Sequence, residues 1–133
     1  MKKFTLPRDG GLIEAGLPNG IKHTYERIPA HILEDEEVAS EVMAGKIADA
    51  INAAEGVFRL GLSTGSSPVS LYRDLVKLYQ EGKVSFKNVI TFNMDEYVDL
   101  PEEHPESYHS FMWNNFFNHV DINPENVNIL NGN

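Results

Sequence analysis

The strongest constraint on the fold of this 133-residue chain is an alternation of short apolar runs with helical patterns, each pair joined by a polar turn. Val57, Phe58, Leu60 and Leu62 form one run, and Val89, Ile90, Thr91 and Phe92 form another. Apolar, β-branched runs of this length between turn residues read as buried strands. Ahead of the first, Val38, Val42, Met43, Ile47, Ala50, Ile51 and Ala54 recur at three and four residues, with Asp35 as N-cap and Gly56 as C-terminal glycine. A second helix is expected from Pro68 to about Glu81, with Tyr72, Leu75, Val76 and Tyr79 on one face and Gly82 closing it. Farther on, Ser107 is placed to cap a third helix carrying Tyr108, Phe111, Met112 and Phe116, and Val127 to Leu130 could form a third strand. Strands alternating with helices imply right-handed βαβ units. The predicted fold class is therefore α/β, a Rossmann-like open parallel sheet with flanking helices, truncated after its third strand. Residues 1–34 hold two glycine-containing turns, Asp9 to Gly11 and Pro18 to Gly20, and read as an irregular N-terminal extension.

The turn after the first strand is Ser63-Thr64-Gly65-Ser66-Ser67, followed by Pro68. It supplies four hydroxyls and a row of backbone N–H groups where a helix begins. Such an N-terminus carries unpaired donors and a partial positive charge, which together favour a phosphate group. A plain capping turn has the same composition. The turn lacks the Gly-Lys-Ser/Thr ending of a P-loop and the spaced glycines of a dinucleotide fingerprint, so ATP and NAD are not implied. A small phosphate, such as that of a sugar phosphate, fits better.

The second strand ends at Asp95-Glu96. In a parallel sheet both strands finish on one edge, where ligands of open α/β sheets bind. Asp95 should thus face the same crevice as Ser63 to Ser67. Adjacent carboxylates at a strand end serve as general base and orienting group, or else as solvated turn residues. Next to a phosphate turn, a carboxylate suits proton transfer at a carbon beside a carbonyl.

Composition removes several classes. Eleven basic against twenty acidic residues give a net charge of −9, and no basic run occurs, which argues against nucleic acid and anionic membranes as partners. There is no cysteine, hence no disulfide or thiolate chemistry. No apolar stretch is long enough to span a bilayer, and the first residues lack the apolar core of a signal peptide, so a cytoplasmic location is expected. His23, His31, His104, His109 and His119 show no ligand spacing for a metal. His104 reads as a surface residue and His119 as a favourable charge at a helix end. Phe111, Trp113, Phe116 and Phe117 read as core or subunit interface.

Five segments carry a family resemblance: Leu-Ser-Thr-Gly-Ser-Ser-Pro (62–68), Val-Ser-Phe-Lys-Asn-Val (84–89), Thr-Phe-Asn-Met-Asp-Glu-Tyr (91–97), His-Pro-Glu-Ser-Tyr (104–108) and Leu-Asn-Gly-Asn (130–133). In this order and spacing they resemble the glucosamine-6-phosphate deaminase family, nearly unbroken from Phe58 to Asn133. Residues 35–133 would then be the N-terminal half of the domain. The resemblance implies conversion of glucosamine 6-phosphate and water to fructose 6-phosphate and ammonia, with no metal or organic cofactor, in a protein that is a homo-oligomer at full length. It makes Asp95 the base of enolisation and assigns substrate binding to Ser63, Thr64, Gly65, Ser66, Ser67 and Glu96. Ser66 departs from the family's Thr-Gly-Gly-Thr-Pro, and a side chain there is expected to restrict backbone approach. The family's ring-opening Asp-Gly-His, a nearby Glu, and the Arg and Lys that complete the phosphate grip find no match here. This chain alone is therefore expected to be inactive. A phosphogluconolactonase would carry Arg where Tyr97 stands, and a sugar-phosphate-sensing regulator would bring a basic helix-turn-helix that is not seen.

Overall fold

The structure, a computed structural model, describes residues 33–133. His23, His31 and the two turns assigned to the N-terminal extension lie outside the described residues. The described chain runs α1 (Glu36–Ala53), β1 (Phe58–Leu62), α2 (Val69–Gln80), β2 (Val89–Asn93), α3 (Tyr108–Asn115) and β3 (Val127–Asn128), with 3-10 turns at Phe117–His119 and Pro124–Asn126. The strands form one parallel sheet in the order β1-β2-β3. This is the predicted α/β arrangement. Phe58 pairs with Val89, Leu60 with Thr91 and Leu62 with Asn93, so β1 and β2 end level.

Alternation sorts the sheet into two faces. Leu62, Val89, Thr91 and Asn93 are buried on one of them, where they join the core. Phe92, on the other, is 46% exposed.

Asp35 caps α1 as expected, accepting from Val38 N at 2.9 Å. The face that α1 buries differs from the predicted stripe. Ser40, Ala44, Ala48 and Ile51 are buried, whereas Met43 is exposed and Val42 half-buried. α1 lies along α2, and small side chains at fourth-residue spacing let two helices approach closely. Size, rather than hydropathy, selected the contact face. Gly56 takes φ +139° in the bend before β1, beyond the helix end at Ala53 and its C-cap Ala54. Pro68 has helical dihedrals but precedes α2, and β3 stops two residues short of the predicted strand.

Phe116, fully buried, joins the layers. Its ring stacks on Tyr72 of α2 at 5.2 Å, meets Phe86 edge-on at 5.2 Å, and contacts Phe117 at 5.5 Å. The segment 84–89 leading into β2 is thereby explained as structural. Val84, Phe86 and Val89 are buried, while Asp121 accepts from Ser85 Oγ and Phe86 N, both at 2.7 Å. Phe111 and Trp113 pack on the same cluster half-buried, so the aromatic group is core. His119 Nε2 lies 2.8 Å from the Asn114 carbonyl, at the C-terminal end of α3 as the dipole argument expects.

Phe116→Ala should lower unfolding free energy by about 3–5 kcal/mol, the range for emptying a buried aromatic site. Urea denaturation monitored by circular dichroism measures it; a loss below about 1 kcal/mol would mean that the three rings do not hold the layers together.

Candidate functional site

β1 leaves the sheet at Leu62 and turns through Ser63 to Ser67 into α2. Ser63, Ser66 and Ser67 are exposed, and Thr64 is half-buried. Gly65 takes φ +100°, a conformation that side chains disfavour, although a Cβ there would meet nothing within 4 Å. Ser66 is not among the residues at positive φ, so its replacement of a family glycine strains no backbone. The turn is tied to the core by Tyr72, whose hydroxyl donates to the Ser63 carbonyl. Burial pushes the Tyr72 phenol up to about 12, so it stays a neutral donor through the physiological range.

α2 has no side-chain acceptor at its N-terminus, whereas Asp35 caps α1 and Ser107 caps α3. Val69 N donates to the Ser66 carbonyl at 3.3 Å, which leaves the N–H groups of Ser70 and Leu71, beside four hydroxyls, as the first-turn donors suited to an anion. One carboxylate stands near: Glu36 accepts from Ser70 Oγ at 2.6 Å.

Asp95 lies two residues beyond the end of β2, on the edge where β1 also ends. It is exposed and has no hydrogen-bond partner among the described residues. Its neighbour behaves differently. Glu96 Oε1 accepts from Tyr97 N at 2.8 Å and Tyr108 N at 2.9 Å, and Oε2 accepts from His109 N at 2.8 Å. Partial burial acts to raise its pKa, but the three N–H donors outweigh it and hold Glu96 below the usual carboxylate range. Both oxygens are thus turned to α3, whereas the sequence analysis directed this carboxylate at substrate. Ser107 Oγ accepts from Ser110 N at 2.9 Å and donates to the Glu102 carbonyl at 2.6 Å, which folds the acidic loop over the same helix end. His104 is exposed and its Nδ1 accepts from Glu106 N at 3.1 Å, a turn contact.

Three features here were not read from the sequence. Tyr97 packs on Tyr108 with ring centroids 4.6 Å apart and hydroxyls 3.3 Å apart. The last residues close on the loop after Asp95, with Asp99 N donating to the Gly132 carbonyl at 2.8 Å; a Cβ on Gly132 would stand 1.9 Å from the Tyr97 carbonyl oxygen. The Leu-Asn-Gly-Asn motif offered a glycine as the signal, but its reason is this close approach. Thr91 and Asn93, both buried, have side-chain polar atoms without partners among the described residues.

The sequence profile of the family described as "Glucosamine-6-phosphate isomerases/6-phosphogluconolactonase" matches residues 34–133. Glucosamine-6-phosphate deaminase of Parabacteroides distasonis is 66% identical over 95 residues, covering 71% of this chain and 35% of that protein. The deaminase of Phocaeicola vulgatus is 59% identical over 106 residues, covering 77% of this chain and 40% of the other. The chain thus spans 35% and 40% of the length of these two relatives. Among solved structures, a monomeric glucosamine-6-phosphate deaminase superposes with a TM-score of 0.72 at 40% identity, over 76% of this chain and 42% of its own. A 6-phosphogluconolactonase from Leishmania guyanensis superposes with a TM-score of 0.59 at 25% identity, over 76% and 38%.

Two expectations test the anchors of the site. Above pH 10 an unfolded chain sheds the Tyr72 proton that the folded chain keeps, so stability falls as pH rises from 10 toward 12, by about 3 kcal/mol in full. Tyr72→Phe should lack that alkaline step and lose about 1 kcal/mol at neutral pH with the Ser63 bond. Urea titrations of both proteins at pH 7 and 11 give the difference, and identical alkaline losses would refute the buried phenol. Gly132→Ala should destabilise by about 1–3 kcal/mol through overpacking against the Tyr97 carbonyl, read as a lowered Tm; an unchanged Tm would mean that the tail does not seat there.

Proposed function

The chain belongs to the glucosamine-6-phosphate isomerase/6-phosphogluconolactonase family, and from that premise we propose that it provides the enolisation side of a glucosamine-6-phosphate deaminase. The observation that carries the reading is the pairing of Leu62 with Asn93. It brings the uncapped helix turn and the Asp95 carboxylate, unpartnered among the described residues, to one end of neighbouring strands. Among the superposed structures, 40% identity to the deaminase against 25% to the lactonase supports the choice within the family, as does Tyr97 in place of the lactonase Arg.

In this mechanism the N–H groups and hydroxyls of Ser63 to Ser67 hold the phosphate of the open-chain sugar. That fixes C1 and C2 relative to Asp95. Asp95 takes the proton from C2, leaving an enolamine, and returns it to C1. The C2 iminium so formed is attacked by water, its C–N bond breaks, and fructose 6-phosphate and ammonia leave. The reaction is an isomerisation coupled to deamination, with water entering only at the last step. Ring opening and the cations that complete the phosphate grip belong to the parts of the family domain that this segment does not match. Both sugars are charged metabolites retained inside cells, in keeping with a cytoplasmic enzyme. Among the described residues no helix is long and apolar enough to cross a membrane.

Ammonia release from glucosamine 6-phosphate by the full-length protein tests the reading. Asp95→Asn should lower kcat by about 10²- to 10⁴-fold, the usual contribution of a general base, with affinity for fructose 6-phosphate retained. Full turnover in that variant would remove Asp95 from the chemistry, and sugar-phosphate binding without any ammonia release in the wild type would make the protein a binding module.

A further inference from the structure

We propose that Glu96 is a positioning residue, whose carboxylate pins the Asp95 turn to the N-terminus of α3 and so fixes the direction in which the base points. The inference rests on the deaminase reading and deepens it. Asp95 has no partner of its own among the described residues, so its aim depends on the backbone on either side. On the near side that backbone is β2, held in register up to Asn93. On the far side it is Glu96.

The three bonds of Glu96 divide between two tasks. Those from Tyr108 N and His109 N tie the turn to a segment 12 and 13 residues away. The bond from Tyr97 N contributes nothing to α3, because it closes the turn on itself one residue after the carboxylate. Helix capping alone does not account for this arrangement, since Ser107 already caps α3 at Ser110 N. Hydrogen bonds from N–H groups to an ionised carboxylate are among the stronger kinds in proteins, and a carboxylate at a helix N-terminus is further favoured by the dipole. Beyond the turn, the tilted packing of Tyr97 on Tyr108 and the Asp99–Gly132 bond hold the same loop at two later points. The base therefore projects from a turn fastened on both sides, while its own carboxylate stays free for substrate.

Steady-state kinetics and residue-resolved amide exchange on the full-length protein separate the possibilities. Glu96→Gln keeps the size but offers an NH₂ group to a backbone N–H and loses the charge. It should lower kcat by about tenfold to a hundredfold, as expected for a displaced catalytic group, with KM within about twofold. Amide exchange at Tyr97, Tyr108 and His109 should speed up together. Glu96→Asp, which retains the charge on a shorter arm, should recover part of kcat, and it keeps the test open if the Gln variant does not fold. A lowered Tm with kcat unchanged would reduce Glu96 to a helix cap. A KM that rises as kcat falls would place it on the substrate instead. Unaltered exchange at the three amides would overturn the clamp outright. Absence of ammonia release from the wild type would sink the deaminase reading, and the exchange measurement distinguishes that failure from failure of the clamp.

Discussion

The level ending of β1 and β2 is the constraint from which the site follows. Parallel strands joined by a helix must both deliver their exits to the same edge. Because Leu62 lies opposite Asn93, the turn that opens α2 and the turn that bears Asp95 leave the sheet as neighbours. A slip of β2 by one residue in that register would carry Val89, Thr91 and Asn93 from the covered face to the open one. Burial of Leu62 and Val89 against the helices opposes such a slip. Core packing and site geometry are therefore one requirement.

The link from core to turn runs through a single phenol. Tyr72 presents its ring to Phe116 and its hydroxyl to the Ser63 carbonyl, so packing α2 against the end of α3 also fixes where β1 releases the chain. This lets the turn remain exposed and hydroxylic without being loose. It also suits a chain of net charge −9. An anion site in an acidic protein gains little from the overall field, and rests instead on short-range donors held in place before the ligand arrives.

Much of this was legible in the sequence where local chemistry dictates structure. Asp35 and Ser107 announce helix starts, the β-branched run Val89 to Phe92 announces a strand, and strict alternation of elements announces a parallel sheet. What was not legible depends on partners distant in sequence. The buried face of α1 was misread because close approach to α2 favours Ser40, Ala44 and Ala48 over the more apolar Val42 and Met43. Gly132 stood in the sequence only as part of the Leu-Asn-Gly-Asn segment, and the Tyr97 carbonyl that requires it lies 35 residues away. Glu96 was read as substrate-binding beside the base Asp95, because adjacent carboxylates carry no sign of which one will meet a helix end.

That last distinction bears on how one strand end supports two acids. Past the end of β2 the two consecutive carboxylates part: Asp95 is exposed with no hydrogen-bond partner among the described residues, and Glu96 is half-buried. One of them turns back toward the protein, where it is either an uncompensated charge or a bonded one. Here the outcome is the second, with three N–H donors on two oxygens keeping Glu96 ionised. An apolar residue at that position would leave the first N–H groups of α3 unanswered, and a basic one would oppose its dipole. The Asp-Glu pair thus joins an acid left free to react with an acid whose bonds hold the turn beneath it.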